Sequence, residues 1–144
     1  MWYADSAATV HVSPNCEDFS SYHQYVKKRI IRTFRNNVAE GIGEGDIIAD
    51  VEYRGRHTRI QLTRVMHLPG ADGKILSLKV LDQKGFESRI IGGCVQIMRN
   101  GMIYVEVLLG GELYEAKMKI IPPQESIMAE VKRDTPATDL STWH

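Results

Sequence analysis

Cysteine is scarce in this chain. Only Cys16 and Cys94 occur among 144 residues, far apart and outside any Cys-x-x-Cys or Cys/His cluster, which excludes a disulfide framework and a zinc-finger signature. Both are expected to be buried thiols. Long apolar runs are missing too: nothing approaches the roughly 18 residues of a membrane-spanning helix, so no membrane partner is expected. The opening Met1-Trp2-Tyr3-Ala4-Asp5 has neither the basic nor the apolar part of a signal peptide, and a reducing, intracellular compartment is the expectation. Net charge is absent, with Lys+Arg 18 against Asp+Glu 18, so attraction to nucleic acid or an acidic surface would need a local patch. The length leaves room for one ordinary domain and too little for duplicated halves.

What the chain does contain is a soluble globular composition, 43% hydrophobic and 25% charged, laid out as short strands punctuated by glycine. Residues 3–12 mix small and β-branched types. Residues 45–53 and 58–66 alternate with period two around a turn at Arg54-Gly55-Arg56, which predicts one hairpin. Asn100-Gly101 predicts a second, between 94–98 and 102–108, and Gly110-Gly111 opens a further strand over 112–121. Two places break the pattern. The apolar positions 75, 76, 78, 80 and 81 are too dense for one strand face, and Gly85 is a helix stop, so one helix is expected at 74–84. A short helical turn or loop is expected at 19–26. From Pro122 the composition shifts to Pro, Ser, Thr and charge, which places a compact domain at 1–121 and a flexible linker at 122–144.

Tyr3-Ala4-Asp5-Ser6-Ala7-Ala8-Thr9 resembles the hydrophobic-Asp-Ser/Thr-Gly-Ala motif of retropepsins, the aspartic proteases of retroviruses and retrotransposons. With its flanks, Trp2 through His11 and then Ser13-Pro14-Asn15, Asp18-Phe19 and Ser20, it is similar to the start of the protease domain in copia-type LTR retrotransposon polyproteins. Later segments resemble that family in order. Gly41-Ile42-Gly43-Glu44-Gly45 looks like its glycine-rich flap, Leu68-Pro69 the end of the strand before its helix, Ile75 to Leu81 that helix, with Gly85-Phe86 after it, and Gly111-Glu112-Leu113-Tyr114 a later strand. Asp139 to His144 looks like the opening of the pre-integrase zinc-binding segment. The other ligands of that segment are absent, so His144 is expected to hold no metal and the linker to lead into a truncated pre-integrase piece.

The resemblance implies an all-β, closed-barrel-like retropepsin protomer with one helix, working as a two-fold symmetric homodimer. Amide hydrolysis without a metal or a covalent nucleophile can be done by two carboxyl groups sharing a proton, one acting as base toward water and the other as acid toward the carbonyl oxygen. The motif occurs once here, so a second Asp5 would come from another chain. Asp5 is the expected catalytic acid, with Ser6, Ala7 and Ala8 supporting its loop and Gly41, Ile42, Gly43, Glu44 and Gly45 as the substrate-binding flap. No cofactor is implied. The implied substrate is extended segments of the chain's own polyprotein, and the implied setting is cytoplasmic, within retrotransposon virus-like particles. Val38, Ile42, Ile47, Ile48 and Leu68 are candidate linings of apolar subsites. Ser6 is not expected to be a nucleophile, since no Gly-x-Ser-x-Gly elbow surrounds it.

Ala7 departs from the family pattern, which has Gly there, and leaves a second reading open: a domain of retropepsin fold, catalytically weak or inactive, that binds peptide or assembles. A third class, a nucleic-acid module built on Lys27-Lys28-Arg29, Arg32 and Arg35, lacks interleaved aromatics and is followed by Glu40, Glu44, Asp46, Asp50 and Glu52, so a solvated charged face is expected. His11, His23, His57 and His67 have no ligand spacing and are expected at the surface or core edge.

Overall fold

The alternating segments form the two hairpins expected of them. The computed structural model describes residues 2–32, 38–110, 113–121 and 138–139. Strand β4 (Val38–Tyr53) pairs antiparallel with β5 (Arg56–His67) through a turn at Arg54-Gly55, and β8 (Cys94–Arg99) with β9 (Met102–Gly110) through Asn100-Gly101. Both turns have positive φ at their two central residues, 47 and 81° in the first and 52 and 76° in the second. That geometry matches the right-handed twist of the flanking strands.

The remaining strands are β1 (Trp2–Asp5), β2 (Val12–Ser13), β3 (Ser21–Arg32), β6 (Lys74–Ser77), β7 (Glu87–Ile91), β10 (Leu113–Ala116), β11 (Lys119–Ile120) and β12 (Thr138–Asp139). They join one 12-stranded sheet in the order β11-β4-β5-β2-β6-β1-β10-β9-β8-β7, with β3 added on β4 and β12 on β5. The sheet curls until β4 meets β9, giving a barrel-like body around Trp2, Ile47, Ile60, Leu62, Leu76, Phe86, Ile97 and Val107. The fold is all-β with one short helix.

Several boundaries differ from expectation. The helix α1 spans only Leu78–Gln83, because residues 74–77 are strand β6, parallel to β1 on one side and antiparallel to β2 on the other. Ile75, Leu76 and Ser77 are all buried, so both faces of a central strand imitate the dense apolar pattern of a helix. The stop at Gly85 is a Schellman turn: Gly85 N–H donates to the Asp82 carbonyl and Phe86 N–H to that of Leu81, each at 3.0 Å. In place of the short helical turn or loop expected at 19–26, a 3-10 turn at Cys16–Asp18 is followed by β3, which starts at Ser21. The stretch 3–12 is two strands with a loop between them, and 112–121 contains two strands on different neighbours, β1 and β9 for β10 and β4 for β11. Strand β7, closed onto β8 by Gly92-Gly93, was not anticipated.

Most of the expected linker, 122–137 and 140–144 with His144, lies outside the described residues, as do Arg35, Gly111 and Glu112. Thr138 and Asp139 pair with Ile60 and Gln61 of β5.

Candidate functional site

After Asp5 the chain leaves β1, loops through residues 6–11, and returns as β2 on the far side of β6. The loop therefore straddles the end of β6, where Ser77 stands in register with Asp5. The loop is held from both ends. Ala7 N–H donates to Asp5 Oδ1 at 2.8 Å, a tight Asx turn, and Ser77 Oγ donates to the Ala8 carbonyl at 2.6 Å. Ser77 N–H donates to His11 Nδ1 at 2.9 Å, and Ser77 Oγ accepts from Val80 N–H at 3.1 Å as the N-cap of α1. One serine thus organises the Asp5 loop and the helix start together.

His11 is buried, and burial lowers its pKa from 6.5 to about 4. Because Nδ1 accepts from an amide, the ring is neutral and its proton sits on Nε2, which has no hydrogen-bond partner. The expectation of a surface or core-edge position is corrected for His11 and for buried His67; His23 and His57 are exposed. Cys16 is exposed and Cys94 half-buried, so neither is the buried thiol expected. Cys16 sits in the polar 3-10 turn, which turns its side chain outward.

Asp5 is half-buried, while Ser6 and Ala7 are exposed and Ala8 is half-buried. The backbone at Ala7 is outside the left-handed region, since the described non-glycine residues with positive φ are Arg54, Arg64 and Asn100. An L side chain fits there without backbone strain. No group of three or more His, Cys, Asp or Glu among the described residues is placed to hold a metal ion.

The segment Gly41–Gly45 is not a loop. It lies inside β4, laddered to β3 at Tyr22, His23, Gln24 and Arg29 and to β5 at Val65, Met66 and His67. Its glycines answer close approach: a Cβ at Gly43 would fall on Tyr22 Oη, one at Gly45 on the Ser21 carbonyl, and one at Gly41 2.6 Å from Met66 Sδ. Tyr22 can then lie across the strand and bond His67 Nδ1 at 2.8 Å, with Phe19 edge-on to both rings. Residues 33–37, between β3 and β4 in the chain, lie outside the described residues.

Strand β3 of the arm is largely exposed. Val26 is fully exposed, and Ile30 and Val38 are largely so. Residues 25–28 bulge from the ladder and frame a surface hollow lined by His23, Tyr25, Val26, Lys27, Lys28, Arg29 and Glu44, which does not include Asp5. Lys28 pairs with Glu40, and Arg29 and Arg64 with Glu44, so acidic neighbours offset the basic run. Of the candidate subsite residues, Ile47, Ile48 and Leu68 are buried, Ile47 and Ile48 on opposite faces of β4, while Val38 is exposed and Ile42 half-buried.

Arm and Asp5 loop share one hydrophobic cluster. Val12, Ala39, Met66, Leu68 and Ile75 form its centre, with Ala8 and Val10 of the loop and Tyr25 and Ile31 of the arm packed against it. The family model for the Pol polyprotein beta-barrel domain matches residues 2–86, which hold the Asp5 loop, the arm, β6 and α1. The chain belongs to that family. This Pol beta-barrel is accordingly a retroelement polyprotein region, and the matched span ends at Phe86, where the Schellman turn closes α1. Strands β7 to β12 lie beyond it, although the Pol beta-barrel uses β9 and β10 to close its core against β4 and β1. No curated protein and no solved structure matches the chain.

The organising pair, Ser77 and His11, is 66 residues apart in the chain, so no local sequence pattern marks it as part of the site. A serine immediately before Leu78-Lys79-Val80-Leu81 is an N-cap signal, and it would have located the end of β6.

Proposed function

We propose that this Pol beta-barrel is an aspartic endopeptidase of retropepsin type from a copia-type element, acting as a homodimer on extended segments of its own polyprotein. The observation that carries this reading is the shared cluster: the loop that presents Asp5 and the long exposed arm are packed on the same apolar residues, so an extended peptide held under the arm would run past the carboxyl group. Asp5 and a second copy's Asp5 would share one proton. The ionised carboxyl takes a proton from water as that water attacks the scissile carbonyl, and the protonated one hydrogen-bonds the carbonyl oxygen and then donates to it. Ala7 N–H holds Asp5 Oδ1, which orients the carboxyl without using a second side chain. The exposed outer edge of β3, which among the described residues pairs only with β4, offers backbone groups for a peptide bound as a strand. Cytoplasmic virus-like particles are the setting in which such processing would occur.

The test is a precursor carrying residues on both sides of this domain, compared as wild type and Asp5→Asn. Self-cleavage in the wild type that disappears in Asp5→Asn is expected, with activity per chain rising with concentration until the dimer predominates. Cleavage that persists in Asp5→Asn overturns the reading.

Ala7 favours a second reading, a domain that binds peptide or assembles without turnover, because its methyl group is exposed next to Asp5 where retropepsins have Gly. Tight binding of a polyprotein peptide with no cleavage in either Ala7 or Ala7→Gly protein would select it.

A further inference from the structure

The far end of the sheet carries a surface that the Asp5 reading does not use. Strand β7 is last in the order, and among the described residues only β8 pairs with it. Its ladder is regular and contains no proline, bulge or lysine, the devices that ordinarily stop an edge from pairing again. All five residues are exposed, including Ile90 at 67% and Ile91 at 51%. Strands β10, β9 and β8 separate it from the strand bearing Asp5.

We propose that two copies of this chain pair antiparallel through the outer edge of β7, in the register that sets Glu87 of each copy opposite Arg89 of the other.

The register follows from symmetry and charge. A two-fold axis perpendicular to the sheet keeps each strand's faces, so the axis must pass through a residue that meets its own copy. Centring on Glu87 puts carboxylate against carboxylate, and centring on Arg89 puts guanidinium against guanidinium; like charges directly opposite oppose pairing. Centring on Ile90 sets Arg89 against Ile91 and shortens the ladder at the Gly92-Gly93 turn. Centring on Ser88 forms the Glu87–Arg89 pair twice. It also brings Ile90 opposite Phe86 of the other copy. Ser88 and Ile90 lie on the core-facing side, across from buried Ile97 and Val95, so each exposed Ile90 would extend the partner's core at its open end. The occupant is therefore a second copy of this chain, whose own β7 carries the complementary charges in the required spacing.

The test uses the full chain in sedimentation across a concentration series, with circular dichroism to check the fold. Wild-type protein should self-associate, and Arg89→Glu and Glu87→Arg should each weaken association roughly tenfold or more, since both create like-charge pairs twice over. The double variant, Glu87→Arg with Arg89→Glu, should restore it because the swapped pair is again complementary. In a background with Cys16→Ser and Cys94→Ser, Ser88→Cys should oxidise to a dimer, whereas Ile90→Cys should not. Association unchanged by either single variant, no rescue by the swap, or cross-linking at 90 in preference to 88 each overturns the proposal. Asp5→Asn should leave β7 association unchanged, so this outcome is independent of whether the domain is a protease.

Discussion

Ser77 donates its backbone N–H to His11 Nδ1 at 2.9 Å while its hydroxyl holds the Ala8 carbonyl at 2.6 Å. These two bonds tie both halves of the loop after Asp5 to the end of β6. The first of them also commits the buried imidazole to its neutral form, since a protonated ring has no lone pair at Nδ1 to accept with.

Stability should therefore fall in acid through His11. Its pKa is about 4 in the folded chain against 6.5 for a free histidine, so the unfolded state binds more protons between those values. The contribution is fully present above about pH 6.5 and is lost as the pH drops through about 4, a total on the order of 3 kcal/mol. Urea unfolding at pH 7, 5.5 and 4.5 measures it. His11→Asn should be less stable at pH 7 yet show a flatter dependence over this window. An unchanged slope in the variant would assign the acid sensitivity to other groups.

Ser77→Ala removes the bond to Ala8 and the N-cap on Val80 and leaves the backbone bond to His11. A loss of about 1–3 kcal/mol is expected, combining a missing cap with the lost bond to the half-buried Ala8 carbonyl. Ser6→Ala, at an exposed position, should change stability by no more than about 0.5 kcal/mol. Equal effects from the two substitutions in denaturant titrations would contradict the assigned role of Ser77.

Gly43→Ala should cost about 1–3 kcal/mol, because the new Cβ falls on Tyr22 and the ring must leave His67. In Tyr22→Ala protein the same change should cost clearly less, and a double-mutant cycle reads the difference. Additive effects would mean that Gly43 is needed for another reason, such as the nearby His23 carbonyl.

Ala7→Gly should lower thermal stability slightly, by up to about 1 kcal/mol, through added freedom in the unfolded chain, since the alanine fits its backbone without strain. In the precursor assay turnover should be equal or higher, because a methyl group beside Asp5 is gone. Lower turnover with a preserved fold would show that the methyl group does not obstruct the peptide.

Much of the fold could be read locally. The hairpin turns at Arg54-Gly55 and Asn100-Gly101 and the stop at Gly85 depend on backbone conformations that a few adjacent residues specify. The Asx turn from Asp5 to Ala7 is local in the same way, spanning two residues. Other features were not legible, and each depends on a neighbour distant in sequence. Residues 74–77 became a strand only because β1 and β2 flank them and bury both faces, where the same letters suit a helix. Gly41, Gly43 and Gly45 resemble a glycine-rich flap in sequence, yet the space they leave is filled by Met66, Tyr22 and Ser21 of adjoining strands.

Turn chemistry and period-two alternation act over a few residues, and they suffice for the β-rich class, the two tight hairpins and the helix stop. That His11 is neutral and buried, that Ser77 holds the loop, and that the arm and the loop after Asp5 share one cluster all depend on the assembled fold. Desolvation and close packing come from groups brought together by the sheet order β2-β6-β1, and period-two alternation in one strand does not specify which strands become its neighbours.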